Sequence, residues 1–278
     1  MDSDKLTYQK NPGEVPLRKP IIVVPPKRVR KVGGVAPLSY SKDHGKGKGV
    51  LSPAVVYVLS GGSEREKTYF RNLRNDKILS SCVQVLFQSK QGQGLQPYQM
   101  DKIWQTGQRQ GYINYEGKRY RQNKIDKVFL VSDVDEFEPQ LVSILSQKRK
   151  SDYGQWIISN PCIEIWLYYC FRNDIAAEIE KLRYVSRAKR SQQMKRLNDM
   201  LIKGGADPRK AFDNTPSGIV NSKAHYRTGH YGIPGLFATS CHIMMEQIQS
   251  FIIERGHSFA EYQEAKRKKI EAFLAGKE

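Results

Sequence analysis

Two aspartates, Asp133 and Asp135, directly follow the apolar, β-branched run 127–132. If the backbone stays extended, this two-residue spacing points both side chains to the same side. Carboxylate oxygens so placed suit Mg²⁺, a hard cation, with Mn²⁺ as an alternative. The same residues could instead form an exposed turn, so both interpretations stay open.

Two glutamates, Glu64 and Glu66, follow the small-residue turn after the run 54–59. Ser63 and Glu66 match the capping-box pattern S-x-x-E, which gives Glu66 a structural role at a helix N-terminus. Glu64 has no such role, so we expect it to be the general base or a further metal ligand. Simple complementation of the helix dipole would also explain Glu64.

A third acidic position, Glu164, lies in Ser159-Asn160-Pro161-Cys162-Ile163-Glu164-Ile165-Trp166-Leu167. We expect Asn160 to cap a helix that has Pro161 at its first position. The helix is apolar on all sides apart from Glu164, which predicts burial. A buried carboxylate must be paired, protonated or bound to a metal. We therefore expect Glu164 either to join Asp133 and Asp135 as a metal ligand or to pair with an arginine or a backbone amide.

The elements that must position these residues alternate between strands and helices. The apolar runs 54–59, 82–87, 127–132 and 155–158 predict strands, and helical patterns reach about residue 74 and cover 96–109 and 138–149. This order predicts an α/β fold with a mostly parallel four-stranded sheet flanked by helices. A surface hairpin is expected near 112–115, and the chain after 161 is expected to be mainly helical apart from a loop over 204–235. Ligands of such sheets bind at the carboxyl ends of the strands.

The composition sets the broad class of the protein. The chain has 278 residues, with 46 Lys and Arg against 28 Asp and Glu, a net charge of +18. It lacks the repeats of collagen or mucin and any apolar run long enough to cross a membrane. The four cysteines have no CxxC spacing, and the sequence begins without an apolar leader. We expect a cytoplasmic protein with no membrane contact and with cysteines buried as small core residues.

The chain divides into three predicted regions. Residues 1–50 form a Pro/Gly-rich, disordered arm, whose 11 basic and 4 acidic side chains give +7. Residues 51–175 form the α/β core, and residues 176–278 form a mainly helical region that packs on it.

Most of the remaining positive charge lies in residues 181–210, whose 10 basic and 2 acidic side chains give +8. Such a run favours a nucleic-acid backbone as ligand, although a solvated helix face would also explain it. The candidate phosphate contacts in this run are Lys181, Arg183, Arg187, Lys189, Arg190, Lys195 and Arg196. Lys223 and Arg227, in a polar segment with His225 and His230, are further candidates or belong to an ordinary polar loop.

The acidic motifs resemble those of the RloB family, over roughly residues 53–253. The likeness rests on Glu66 with Tyr69-Phe70, on Ser132-Asp133-Val134-Asp135-Glu136-Phe137, and above all on Ser159-Asn160-Pro161-Cys162 with Glu164 and Trp166-Leu167. That family is similar to the Toprim domains of topoisomerases, primases and related nucleases. The resemblance implies a Toprim-like sheet with Mg²⁺ at the strand ends, and a role in bacterial defence against phage and other foreign DNA.

The sequence departs from the family pattern at Gly61. The family usually has a glutamate at this position, straight after the first strand, and that glutamate is the expected general acid/base or metal ligand. Either Glu64 or Glu66 supplies the carboxylate from a shifted position, or the metal chemistry is altered or absent.

The leading hypothesis is a Mg²⁺-dependent nuclease of DNA or RNA, with Asp133, Asp135 and Glu64 in catalysis and Glu164 as a further ligand. The alternative is a nucleic-acid-binding or scaffolding subunit that acts with a partner protein, such as an ATPase. A nucleotide-transferring enzyme is a third option, but the chain has neither GxxxxGK[ST] nor GxGxxG. Self-association is also open.

Overall fold

The structure is a computed structural model that describes residues 54–62, 64–75, 83–89, 94–122, 126–147 and 154–274. The predicted arm over 1–50, the capping residue Ser63 and Cys82 lie outside these residues. The elements run in the order β1 (Ala54–Ser60), α1 (Arg65–Asn75), β2 (Val83–Gln88), α2 (Pro97–Gln110), β3 (Tyr112–Tyr115), β4 (Lys118–Arg121), β5 (Lys127–Asp133), α3 (Glu138–Leu145), β6 (Gly154–Asn160), α4 (Glu164–Tyr169), α5 (Ala177–Glu180), α6 (Arg187–Leu201), α7 (Pro208–Asp213), α8 (Thr215–His225), β7 (Ala238–Thr239) and α9 (Cys241–Leu274). Short 3₁₀ helices cover Lys181–Tyr184 and His230–Gly232.

A five-stranded sheet with the order β2-β1-β5-β6-β7 forms the centre of the described structure. The first four strands pair in parallel, and the two-residue β7 pairs antiparallel with the end of β6. The predicted α/β class and the four predicted strands are confirmed. The sequence did not predict β7, because a two-residue strand carries no periodic signal. The predicted hairpin is present as β3 and β4.

Alternate residues of β1 enter two separate cores on the two faces of the sheet. Val55, Tyr57 and Leu59 pack with α2 and the β3–β4 hairpin. Ala54, Val56 and Val58 belong to the larger core, which also takes in side chains of α1, α4 and the C-terminal helices. This two-residue alternation is the normal consequence of strand geometry, and it explains why the whole run is apolar.

The predicted loop over 204–235 is wrong, because α7 and α8 lie within it. The prolines that suggested a loop, Pro208 and Pro216, lie at the N-terminal turns of these helices. Proline is favoured there, since the amide it lacks would have no partner within the helix. The side chain of Asp207 caps α7 by accepting a hydrogen bond from the Arg209 amide at 2.9 Å.

The predicted helix cap at Asn160 is also wrong. Asn160 is the last residue of β6, where it pairs with Ala238, and its side chain donates to the Pro234 carbonyl oxygen at 2.9 Å. A cis peptide bond joins it to Pro161, and α4 begins only at Glu164. Tertiary contacts with the segment before β7 therefore hold Asn160 in the sheet. The predicted burial of the apolar helix is confirmed, since every residue of α4 is buried.

The described cysteines agree with the prediction that they are core residues. Cys162, Cys170 and Cys241 are buried and free. No helix among the described residues is both long and apolar enough to cross a membrane.

Candidate active site

Acidic residues follow three neighbouring parallel strands, at the end of the sheet where the carboxyl ends of these strands lie. Asp133 is the last residue of β5, Glu164 is the first residue of α4 after β6, and Glu66 lies in the first turn of α1 after β1. Because the carboxyl ends of parallel strands meet at the same edge, the fold brings these carboxylates together. We call Glu66, Asp133, Asp135 and Glu164 the acidic cluster.

The glutamate of α1 that joins this cluster is Glu66 and not Glu64. Glu66 is 7% exposed, whereas Glu64 is exposed on the surface. A Cβ atom placed on Gly62 would overlap the Glu66 carboxylate, so this side chain folds back against the Gly62 backbone. Only glycine at position 62 leaves room for that arrangement. The other half of the proposed capping box, Ser63, is outside the described residues.

Burial, together with mutual repulsion, favours protonated carboxyls in the cluster. Burial, and then the charges of Glu66, Glu164 and Asp135, raise the pKa of Asp133 well above its usual range. Burial, with a smaller contribution from Glu164, raises the pKa of Glu66 to about 7. A site of this kind can hold a proton near neutral pH, or it can accept a cation that offsets the negative charge.

Asp135 reaches the cluster by a route other than the expected extended backbone. The chain turns after Asp133, and the Asp135 amide donates to the Pro161 carbonyl oxygen at 3.2 Å. Both carboxylate oxygens of Asp135 accept hydrogen bonds. Oδ1 accepts from the Glu136 amide at 2.6 Å, and Oδ2 accepts from the Ser191 hydroxyl of α6.

Glu164 has two cationic neighbours and one oxygen without a partner. Its side chain is 1% exposed, and its Oε1 lies 3.7 Å from both Arg65 Nε and Lys195 Nζ. Its Oε2 is buried with no hydrogen-bond partner among the described residues. The expected pairing with an arginine is thus present at ion-pair distance, and the second carboxylate oxygen, Oε2, has no hydrogen-bond partner among the described residues. The Glu164 charge in turn raises the pKa of Lys195.

Cys162 is a core residue at the edge of this cluster. It is fully buried, and burial raises the pKa of its thiol well above the usual range. The thiolate is the reactive form of cysteine, so this environment does not favour a cysteine nucleophile.

Helix α6 brings the basic segment to the same edge of the sheet as the acidic cluster. Ser191 donates to Asp135, Lys195 faces Glu164, and Arg187 pairs with Glu138 of α3. Sequence reasoning assigned Lys195 to nucleic acid alone and missed Arg65 and Ser191. No local pattern identifies these residues, because their role depends on a helix crossing the ends of distant strands.

Several predicted phosphate contacts already have partners within the protein. Arg183 pairs with Glu180, Arg187 with Glu138, and Lys223 Nζ lies 3.1 Å from Glu246 Oε1. Arg190 donates to the carbonyl oxygens of Leu182, Val185 and Arg183, and so holds the preceding 3₁₀ helix. These basic side chains therefore have contacts within the protein that a phosphate would have to share or replace.

The other basic candidates are available to a ligand. Lys181, Lys189, Arg196 and Arg227 are exposed, and within the described residues none has an ion pair. Lys195 is 52% exposed beside the cluster. Tyr184, which sequence reasoning missed, is 91% exposed among these cations. An exposed aromatic ring among cations is typical of surfaces that stack nucleic-acid bases.

The chemistry of the acidic cluster suits a magnesium ion, although the cluster is not arranged as a finished site. Carboxylate oxygens are the ligands that Mg²⁺ prefers, and Glu164 Oε2 is buried without a partner among the described residues. Within the described ranges, no three Asp, Glu, His or Cys side chains form a ready coordination group. Asp133, Asp135 and Glu164 would therefore have to move towards one another around an ion.

Residues 56–232 match the sequence model of a protein family described as RloB-like protein. The chain belongs to the RloB-like family. The suspected resemblance is thereby confirmed, and the RloB-like segment includes the whole acidic cluster and α6, while α9 lies beyond it. No curated protein and no solved structure matches the chain.

Proposed function

We propose that this RloB-like protein is a Mg²⁺-dependent nuclease that cleaves phosphodiester bonds in DNA or RNA. The observation that supports it best is the convergence of Glu66, Asp133 and Glu164 at neighbouring strand ends, beside a basic helix on the same edge. Positive charge attracts a polyanion, and carboxylates hold the cation that lets a phosphate approach.

The residues of the site divide between two tasks in this proposal. Asp133, Asp135 and Glu164 would hold Mg²⁺ or Mn²⁺, which would neutralise phosphate charge and lower the pKa of an attacking water. Glu66, with a pKa of about 7, takes the general-base role that sequence reasoning assigned to Glu64. Such a group both accepts and returns a proton at neutral pH.

The surface of α6 would hold the nucleic acid. Lys189, Lys195 and Arg196 contact the phosphates without reading sequence, and Tyr184 stacks against a base. These contacts place the backbone over the strand ends, where the acidic cluster lies.

The test is cleavage of plasmid, linear DNA and RNA by the purified protein in Mg²⁺, Mn²⁺ or EDTA. We expect EDTA to stop cleavage and Asp133→Ala/Asp135→Ala to slow it by at least about 100-fold, because several kcal/mol of charge stabilisation are lost. Glu66→Gln should slow it far more than the matched control Glu64→Gln. Cleavage that survives the double aspartate substitution would rule out this assignment.

A second candidate is a nucleic-acid-binding or scaffolding subunit, acting beside a partner such as an ATPase. Arg65 and Lys195 favour it, since they already offset part of the Glu164 charge without a metal. Gly61 favours it as well, because this position lacks the expected carboxylate. In that case, no nucleic acid would be cut, and salt-sensitive binding would persist in Asp133→Ala/Asp135→Ala.

We also propose that the substrate comes from phage or other foreign DNA, as the family resemblance implies. Phage plating on cells that carry the wild-type protein or Asp133→Ala/Asp135→Ala tests this role. Equal plating on both strains and on cells without the protein would count against it.

A further inference from the structure

A cavity of about 270 Å³ lies at the carboxyl end of β2, beside the acidic cluster but separate from it. Three elements form it, namely α1, the end of β2 and the turn of the β3–β4 hairpin. Its lining includes Lys67, Arg71, Gln88, Ser89, Tyr115 and Glu116.

Two cations from α1 give the cavity the character of an anion site. Lys67 and Arg71 are four residues apart, so they lie one above the other on the same helix face. Neither forms an ion pair with another described residue. Glu116 is the carboxylate of the lining, which leaves one positive charge in excess.

Gln88 supplies an unused hydrogen-bond acceptor. Its Oε1 is buried and has no partner among the described residues. A buried amide oxygen without a donor costs free energy, and a ligand that brings an N–H or O–H group would recover it. The buried side chains of Phe87 and Tyr115 provide apolar walls beside this oxygen.

The cavity lies close to the acidic cluster along the same edge of the sheet. β2 is the parallel neighbour of β1, and Glu66 of the cluster is followed directly by Lys67 of the cavity. A polymer that crosses the first turns of α1 would therefore reach both places, whereas a small anion would occupy only the cavity.

We propose that this cavity binds one nucleotide of a single nucleic-acid strand whose neighbouring phosphate lies at the acidic cluster. Lys67 and Arg71 hold the phosphate of that nucleotide, and Gln88 Oε1 accepts a hydrogen bond from the edge of its base. The inference rests on the proposed nuclease function and adds a second contact point, which fixes the path of the strand across the site.

The experiment measures fluorescence anisotropy of a labelled single-stranded oligonucleotide in EDTA, so that binding is read without cleavage. Lys67→Ala/Arg71→Ala is compared with Lys102→Ala/Arg109→Ala, a matched pair of exposed cations on α2. We expect the first variant to bind about 10-fold more weakly than the second. Its slope of log affinity against log salt should become shallower by about 0.7 for each phosphate that the variant no longer binds.

A strand with abasic sites tests the role of Gln88. Removing the bases should weaken binding to the wild type more than to Gln88→Leu, because this variant has no acceptor at that position. Thermal unfolding of each variant shows whether it is folded. Inorganic phosphate serves as a competitor, and it should displace the oligonucleotide only at concentrations far above those of an unlabelled strand.

The outcomes separate this inference from the function on which it rests. If the wild type binds no single-stranded oligonucleotide, the nucleotide cavity fails, and the cleavage assay in Mg²⁺ decides the nuclease proposal separately. If the wild type binds, and the α1 and α2 variants are weakened equally, the cavity is not a nucleotide site while the nuclease proposal stands. Full displacement by dilute phosphate would show a simple anion site and would overturn the inference.

Discussion

At the scale of single residues, the site depends on which glutamate reaches the strand ends. Glu64 precedes α1, whereas Glu66 lies in the first turn of that helix. The bare backbone of Gly62 accommodates the Glu66 carboxylate and leaves Glu64 in solvent. Burial, with a smaller contribution from the Glu164 charge, then raises the pKa of Glu66 to about 7.

We expect Glu66→Gln to reduce the pH dependence of stability. The folded state retains the Glu66 proton up to about pH 7, whereas the unfolded chain releases it near the ordinary value of 4.5. Wild-type stability therefore falls as pH rises through this window, by up to about 3 kcal/mol from this group. Denaturant unfolding at a series of pH values measures the effect.

Glu64→Gln is the matched control for this measurement. It makes the same chemical change at an exposed position two residues away, so its pH dependence should equal that of the wild type. If both variants show the wild-type dependence, Glu66 does not carry a raised pKa.

At the scale of elements, the basic residues of α6 lie in two different environments, although the sequence presented them as one stripe. Arg190 faces inward and holds the 3₁₀ helix before α6 through three carbonyl oxygens. Arg196 is exposed on the same helix. Positive charge on α6 thus makes structural contacts at Arg190 and is exposed to solvent at Arg196, where our proposal places the nucleic acid.

We expect Arg190→Ala to lower the free energy of unfolding by about 1–3 kcal/mol, because its hydrogen bonds to carbonyl oxygens are removed. Arg196→Ala should change stability by less than about 0.5 kcal/mol but should weaken nucleic-acid binding. Chemical denaturation and a binding titration on both variants check this division. Equal stability of the two variants would contradict it.

At the scale of the whole molecule, the charges are separated into an acidic cluster and a basic surface on one edge of the sheet. The net charge of +18 therefore does not show that negative charge is concentrated at the strand ends, next to the basic surface. A phosphate drawn to α6 is repelled by Asp133 and Asp135 unless a cation or a proton intervenes.

We expect Asp133→Asn/Asp135→Asn to bind nucleic acid about 3- to 10-fold more tightly than the wild type in EDTA, because the substitutions remove negative charge from the acidic cluster. Added Ca²⁺ should increase the affinity of the wild type and leave that of the variant unchanged. Anisotropy titrations at fixed ionic strength measure both effects.

Glu254→Gln/Glu261→Gln is the control, since it removes two exposed carboxylates of α9. Its affinity should follow the wild type in both EDTA and Ca²⁺. Weaker binding of the aspartate variant in EDTA would mean that these carboxylates do not oppose the ligand.

The sequence by itself determined the strands, the parallel sheet and the position of Asp133 at a strand end. Each of these follows from local periodicity and from the rule that parallel strands end at one edge. The motifs on which the family resemblance rests were also identified from the sequence alone. The helices over 208–225 were missed, because their prolines look the same in sequence whether they begin a helix or form a loop.

Only the tertiary structure decided how the site is completed. It selected Glu66 over Glu64, held Asn160 in the sheet, and placed Ser191 and Lys195 of α6 against Asp135 and Glu164. These contacts join residues from distant parts of the chain, since Asp135 and Ser191 are 56 positions apart. Local sequence preferences do not predict contacts between residues so far apart in the chain. Such contacts form because α6 packs across several strand ends.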